Sequence, residues 1–245
     1  SEIRPHEAVS LAGTVRARWV VRATEGYTAQ LPGLERALAP MNSSMIITEP
    51  LARPAWEEIG WSGREVLSDA AHVYVYLQRT DDGRIAIGGR GVPYRFHSRT
   101  DRSGDTAAAT VESLREKLAQ MFPAAAAADI DHAWSGVLGV PRDWCVSVDA
   151  DHESGLAWAG GYVGQGVAAA NLAGRTLADL LLGRRTSLTE LPWVGRRPRR
   201  WEPEPLRWGA IRGVYSLYRR ADRIERRVGR PSRLARLVDA GSGRA

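Results

Sequence analysis

The part of this chain best suited to chemistry is a cluster of glycines around one tyrosine. In Leu156-Ala157-Trp158-Ala159-Gly160-Gly161-Tyr162-Val163-Gly164-Gln165-Gly166-Val167 a short apolar run meets four glycines, and a long helical pattern to Leu182 follows. That order reads as strand, tight turn, helix. Glycine permits positive φ and lets a ligand approach the main chain. The first helical turn leaves N–H groups unpaired at the positive end of the helix dipole, which suits an anion or an electron-rich oxygen. On spacing alone, a glycine turn with no ligand accounts for the pattern as well.

Other chemistries find less support. The five histidines, His6, His72, His97, His132 and His152, show no partner at metal-ligand spacing, so no metal site is expected. Neither a nucleophile elbow nor a phosphate-binding P-loop is present. Cys145 lies in a short apolar run and reads as a buried, inert thiol. Asp143 beside Arg142 reads either as an acid or base or as a turn cap.

The chain has 245 residues, 44% of them hydrophobic and 25% charged, which fits a globular protein with a sizeable core. No apolar run reaches membrane-spanning length, and Ser1 to Glu7 has no signal-peptide character. The single cysteine fits a reducing cytoplasm. The net charge of +6 hides an asymmetry: from Arg184 onward there are 17 Arg against six acids, and the body is mildly acidic. That basic tail reads either as an amphipathic helix docked on the body or as a surface for nucleic acid or anionic lipid. Trp193, Trp201 and Trp208 lie among the arginines, and stacking aromatics between basic residues can bind single strands.

The elements that must position the glycine turn form a mixed α/β pattern. Val9–Leu11 and Thr14–Ala23 read as strands around a turn at Gly13, and Ser44–Pro50 as a strand stopped by proline. His72–Arg79, the turn Thr80-Asp81-Asp82-Gly83 and Arg84–Arg90 read as a hairpin. Tyr74, Tyr76 and Gln78 fall on one face of its first strand, and Val73, Val75 and Leu77 on the other. Val111, Leu114, Leu118 and Met121 mark a helix over 106–122 that Pro123 ends. Ala124–Ala128 reads as a short turn or helix piece, Ile130–Trp134 as a strand, 137–144 as a turn-rich connection, Cys145–Val148 as a strand and Asp149–Gly155 as a polar loop. Residues 184–205 read as an extended arm. Residues 206–228 form a last helix with Ile211, Val214, Leu217, Tyr218, Ala221, Ile224 and Val228 as its apolar stripe.

Three segments in this order resemble the later part of the FAD-dependent D-amino-acid-oxidase-type oxidoreductases, which include sarcosine, glycine and γ-glutamylputrescine oxidases. Ala17–Gly26 resembles the family's strand ending in an Ala-Thr-Gly turn near the cofactor, with Glu25 inserted between Thr24 and Gly26. Tyr76–Gly89 is similar to the hairpin of the substrate domain. Trp134-Ser135-Gly136, Arg142-Asp143 and Gly160–Val167 look like the closing segment that approaches the flavin ring. Together they cover residues 9–183.

The resemblance implies FAD as cofactor and a small-molecule amine or amino acid as partner. It implies hydride transfer to flavin N5 from a carbon next to nitrogen, an imine that hydrolyses, and reoxidation by O2. Candidate cofactor contacts are Ala23, Thr24, Gly26, Gly161, Tyr162, Val163, Gly164, Gln165, Gly166 and Val167. Backbone N–H groups at Gly164–Val167 would stabilise negative charge gained around flavin N1 and the C2 carbonyl oxygen. Tyr162 and Gln165 reach either the ring or the substrate. Candidate substrate contacts are Tyr74, Tyr76, Gln78 and Arg142. The expected organisation is part of an FAD-binding domain at 1–40, an antiparallel-sheet substrate domain at 41–133, the flavin-facing segment at 134–183 and a basic helical tail at 184–245.

The chain departs from the family pattern in two places. No Gly-x-Gly-x-x-Gly fingerprint precedes a helix near its start, so the resemblance implies an upstream chain that binds the ADP half of FAD. Gly136 is followed by Val137-Leu138-Gly139, not by the Arg-Pro that holds a substrate carboxylate. This favours an amine substrate unless Arg142 or Arg90 takes over. Cys145 follows the Arg-Asp pair rather than preceding it, so the covalent flavin link of some members is not implied.

Overall fold

The computed structural model describes residues 1–89, 94–100 and 104–242. In chain order the elements are β1 (Glu2–Arg4), β2 (Glu7–Ser10), β3 (Gly13–Arg16), β4 (Val20–Arg22), β5 (Ala39–Thr48), α1 (Arg53–Ile59), β6 (Leu67–Ser68), β7 (Val75–Arg79), β8 (Ile85–Gly89), α2 (Ala108–Met121), β9 (Ile130–Val140), β10 (Ser147–Asp151), β11 (Leu156–Gly160), α3 (Gly166–Leu181), α4 (Leu206–Val228) and α5 (Arg233–Ser242). Among these, no helix is long and apolar enough to cross a membrane.

Three sheets result. β1, β2 and β3 make a small antiparallel ribbon, and β6-β7-β8-β5-β9 make the largest sheet, antiparallel throughout. In the third sheet β11 pairs antiparallel with β10 and parallel with β4, in register Leu156 to Val20 and Trp158 to Arg22. The parallel pair matters for the site, because β4 and β11 end side by side.

The apolar period in α2 does what the sequence implies. Leu114 and Leu118 bury against Ile46, Val75, Leu77, Ile85 and Ile87 on one face of the large sheet. Each such leucine contributes roughly 1.5–3 kcal/mol. Alternation leaves Tyr76, half-buried, and Gln78, exposed, on the other face. α3 packs Ala173 and Leu177 on Val148, Ala157 and Ala159, so the helix that follows the glycine turn is anchored to the strand that precedes it.

Several expectations need correction. The run 14–23 is two strands in two sheets. Ala17 N–H closes the ribbon on His6 O at 3.0 Å, and Val20 N–H then goes to Gly155 O at 2.9 Å, so the chain changes sheets at Arg18 and Trp19. β5 begins at Ala39, not Ser44, because β9 pairs with it from Ala39–Val140 through to Thr48–Ile130. That pairing also makes 137–140 strand, not turn. Pairing with β11 carries β10 to Asp151, into the expected polar loop. β10 starts two residues after Cys145, which is exposed, not buried. The strand expected from His72 starts at Val75. Arg90, at the end of the expected hairpin, lies outside the described residues.

α4 spans the expected residues, but its buried stripe is rotated. Ile211, Tyr215, Tyr218 and Ala221 are buried, whereas Leu217, Ile224 and Val228 are exposed. Two polar anchors fix this rotation. Buried Arg207 donates to Glu204 Oε1 at 3.2 Å and to Glu35 O at 2.9 Å. Buried Asp222 accepts the N–H groups of His72 and Val73 at 2.7 and 3.2 Å. One turn on, Glu225 accepts Ser232 N–H at 2.7 Å and contacts His72 Nε2 at 3.1 Å, holding α5, a helix unassigned from sequence, beside α4.

Those contacts, Ser232 N–H first and His72 second, hold the Glu225 carboxyl below its ordinary value. A depressed carboxylate pKa contributes stability that is complete above the unfolded value of about 4.3 and is lost as pH falls through the folded one. The wild-type melting temperature therefore falls more steeply than that of Glu225→Gln between about pH 5 and 3. Parallel pH curves for the two proteins would remove Glu225 from the acid response.

Candidate functional site

The glycine turn sits where the parallel strands end. β4 stops at Arg22, β11 stops at Gly160, and α3 begins six residues later. Ligands of open α/β sheets bind outside the carboxyl ends of parallel strands, and a helix N-terminus there adds unpaired N–H groups. Gly161 at φ +83° and Gly164 at φ +94° make the turn possible. A Cβ on Gly161 would also stand 2.5 Å from Pro141 Cγ. Val163 has φ +54°, a strained conformation for a β-branched residue, and such strain clusters at ligand sites.

The N-terminus of α3 is open. Its N-cap, Gln165, makes no side-chain cap bond, and no acidic residue occupies the first turn. Gly164 and Gln165 are exposed, and Val167 is 98% exposed. An apolar side chain fully in water beside an uncapped helix start leaves room for a ring bearing an electron-rich oxygen. The residues present fit the redox end of a flavin in this respect: uncapped N–H groups, a backbone kept open by glycine, and no carboxylate on the helix end.

Glu25, which reads as an insertion in the sequence, is the centre of the local structure. At φ +42° it turns its carboxylate back into the fold. Oε1 accepts the N–H groups of Gly161 and Tyr162, each at 2.9 Å, and Oε2 accepts Gly139 N–H at 2.6 Å. One side chain therefore ties the end of β4 to the end of β9 and to the glycine turn. Burial, and then the nearby Glu25 charge, raises the Tyr162 phenol, which stays protonated and able to donate.

The expected cofactor residues come together, for different reasons. Ala23 and Thr24 are exposed at the end of β4, and Thr24 Oγ1 lies 2.9 Å from Thr28 Oγ1. Gly26 is buried against β9: a Cβ there would meet Val137 Cγ1 at 2.5 Å and Leu138 O at 3.0 Å. Its glycine is thus required by packing. Val163 packs against the cluster that includes Ala39, Met41 and Val140, which places the turn against one end of the large sheet. Gly161, Tyr162, Gly164, Gln165, Gly166 and Val167 form the turn and helix start themselves.

The expected substrate residues divide. Tyr76 stands on the open face, in one row with Gly88, Met45 and Trp134, and its hydroxyl is 3.3 Å from Ser43 Oγ. Met41 and Ser43 share that face, two residues apart, but at Met41 the face is buried in the cluster with Trp201, Ile211 and Tyr215, so it is partly exposed only from Ser43 outward. Gln78 lies at its exposed far end. Tyr74 precedes β7 and lines a cleft of about 700 Å³ together with residues of α2 and α4. Arg142 is engaged: its Nε donates to Glu202 at 3.0 Å, and its guanidinium lies 5.4 Å from the centre of the Trp201 ring. Ser43 was not singled out from sequence, and Trp134 only as part of the closing segment, because only the β5–β9 register puts them beside Tyr76.

The fold also assembles one group the histidine spacing does not show. His72, Asp222 and Glu225 bring potential ligand atoms within 4.8 Å of one another. Their oxygens serve the backbone N–H groups described above, so the group acts as the clamp on α4 and α5.

Comparisons with known proteins agree with this geometry. The model of the DAO family, FAD dependent oxidoreductase, matches residues 2–180. A probable oxidoreductase OrdL of Rhizobium meliloti is 32% identical over 181 residues, covering 72% of this chain and 39% of that protein. The gamma-glutamylputrescine oxidoreductase of Escherichia coli is 29% identical over 179 residues, covering 70% and 38%. Among solved structures, glycine oxidase from Geobacillus kaustophilus superposes with a TM-score of 0.60 at 21% identity, over 76% of this chain and 47% of that one. L-proline dehydrogenase from P. horikoshii gives 0.60 at 19% identity, over 75% and 47%. The chain thus spans about two fifths of the length of the curated relatives it matches. With the family match covering most of its residues, the chain belongs to the FAD dependent oxidoreductases of the DAO family.

Proposed function

We propose that this chain provides the flavin-ring site and the substrate face for oxidation of the C–N bond of an amine. The observation that carries the reading is the open N-terminus of α3, set at the ends of parallel β4 and β11, with Val163 of the same turn packed on the cluster that holds Met41 of β5. When bound, FAD supplies the two-electron acceptor for a hydride from the carbon next to nitrogen. The first-turn N–H groups of α3 hold an electron-rich ring oxygen and favour the negative charge that reduction brings. Neutral Tyr162 donates at the turn. Tyr76, Ser43 and Trp134 shape the surface on which the amine lies.

The amine, not a free amino acid, is favoured by Arg142. Its guanidinium serves Glu202 and Trp201, which leaves it poorly placed to hold a substrate carboxylate. The name of the gamma-glutamylputrescine oxidoreductase relative fits an amine substrate. In this reading residues 1–40 and 134–183 serve the cofactor, 41–133 the substrate, and 184–245 form a separate basic tail. The sequence contains no Gly-x-Gly-x-x-Gly, and the reading assigns to this chain the redox end of FAD alone.

The test is a visible spectrum of the full-length protein titrated with FAD, followed by anaerobic addition of amines and of free amino acids. Bound flavin that amines bleach is the expected result. Absence of flavin binding would overturn the site, and bleaching by amino acids alone would overturn the substrate class.

A further inference from the structure

The exterior of α4 and α5 carries its charge in one sign. Every arginine from Arg212 to Arg236 is exposed. The three acids of α4 and α5, Asp222, Glu225 and Asp239, are engaged: Asp222 by His72 and Val73 N–H, Glu225 by Ser232 N–H and His72, and Asp239 by Tyr218 Oη at 2.6 Å. The sorting of acids inward and arginines outward leaves a face of one sign, on which no arginine from Arg212 to Arg236 has a salt bridge among the described residues.

The same face carries apolar side chains. Leu217, Ile224 and Val228 are 39, 39 and 51% exposed, and their spacing of seven and four residues puts them on one stripe of α4. Among the described residues, an open hollow beside them is lined by Arg220, Arg223, Arg226, Arg227 and Ile224. Leu237 of α5 is 72% exposed. The sequence puts Leu217, Ile224 and Val228 on the apolar stripe of a helix read either as docked on the body or as a surface for anionic lipid or nucleic acid; the rotation fixed by Arg207 and Asp222 brings them outward.

We infer that this face docks on a bilayer surface rich in anionic phospholipid. Arginines supply attraction to headgroup phosphates, and an adjoining stripe of Leu, Ile and Val enters the headgroup–acyl boundary. Charge complementarity alone also admits nucleic acid, but among Trp201, Trp208, Tyr215 and Tyr218 only Trp208 is not buried, and its ring is already occupied by Arg212 at 5.1 Å. Trp201, Tyr215 and Tyr218 are buried at 6, 7 and 1% exposure. Trp208 is half-buried in an edge contact with Phe96 at 5.8 Å. The face lies beyond residue 180, outside the stretch that matches the family, and the inference does not rest on the flavin reading.

The test is co-sedimentation of the full-length protein with vesicles of phosphatidylcholine alone or mixed with phosphatidylglycerol. Binding should require phosphatidylglycerol and weaken with added salt. Each arginine near such a surface is worth about 1 kcal/mol, so the triple variant Arg220→Gln, Arg223→Gln, Arg227→Gln should lose on the order of 100-fold. The corresponding Arg→Lys triple should retain binding. A triple Leu217→Ser, Ile224→Ser, Val228→Ser should lose about tenfold with the salt dependence intact. All six positions are exposed, and matched melting temperatures check the fold. Equal binding to neutral vesicles, or no loss in the serine triple, would overturn the inference. Tighter binding to a single-stranded oligonucleotide than to vesicles would overturn it in favour of nucleic acid. If either triple fails to fold, the lipid and salt dependence of the wild type decides alone.

Discussion

Replacing Glu25 with Ala is expected to lower the unfolding free energy by about 4 kcal/mol, since each buried N–H left without an acceptor costs roughly 1–3 kcal/mol. Its carboxylate serves three backbone donors, those of Gly139, Gly161 and Tyr162, and the first two belong to buried residues. No nearby side chain replaces it: Gly139, Gly160 and Gly161 carry none, and water must enter a tightly packed corner to do so. Glu25→Gln is the finer probe. Its amide oxygen can still accept from Gly161 and Tyr162, while its NH2 group faces Gly139 N–H. About half of the loss, roughly 2 kcal/mol, should therefore remain. Urea unfolding followed by circular dichroism gives both values, and amide exchange at Gly139, Gly161 and Tyr162 localises them. A Glu25→Ala protein within about 1 kcal/mol of wild type would show that the carboxylate does not hold this corner together.

Glu25 also shows where sequence reading stops. The strand, glycine turn and helix of 156–182 are legible because their signals are local: an apolar run, glycines, then a helical period. The hairpin turn at Thr80–Gly83 and the limits of α4 are legible for the same reason. Glu25, in contrast, gets its meaning from Gly139 and Gly161, 114 and 136 residues away, and in the chain it looks like an insertion. His72 meets Asp222 across 150 residues. β5 hides its length because Asn42, Ser43 and Ser44 interrupt the apolar pattern, and only pairing with β8 and β9 makes them strand. The open face follows the same rule. Alternation puts Tyr76 there, but placing Ser43 and Trp134 beside it requires the register between strands. The rotation of α4 was hidden because a wide apolar pattern does not say which part of it faces inward. Arg207 and Asp222 decide that, and their partners lie on other elements.

Gln165→Asp is expected to make the protein more stable and the enzyme worse. Gln165 is the N-cap of α3 and makes no capping bond, whereas Asp at such a position accepts an N–H of the first turn. That bond, with the favourable charge at the helix N-terminus, should add about 1 kcal/mol to stability. The same carboxylate would occupy donors that the proposed site offers to the flavin ring, and it would oppose negative charge developing there. Loss of one preorganised donor at a developing oxyanion typically costs 100- to 1000-fold in rate, so kcat should fall about 100-fold. Gln165→Ala separates the two effects, since it brings neither cap nor charge and should leave both quantities close to wild type. The two readouts are a melting curve without flavin and single-turnover reduction of the bound flavin by an amine. Opposite signs are the diagnostic result. A misfolded variant would lose both stability and rate, and a helix end remote from the flavin would gain stability at no cost in rate. That second pattern, a higher melting temperature with unchanged reduction, would remove the α3 N-terminus from the site.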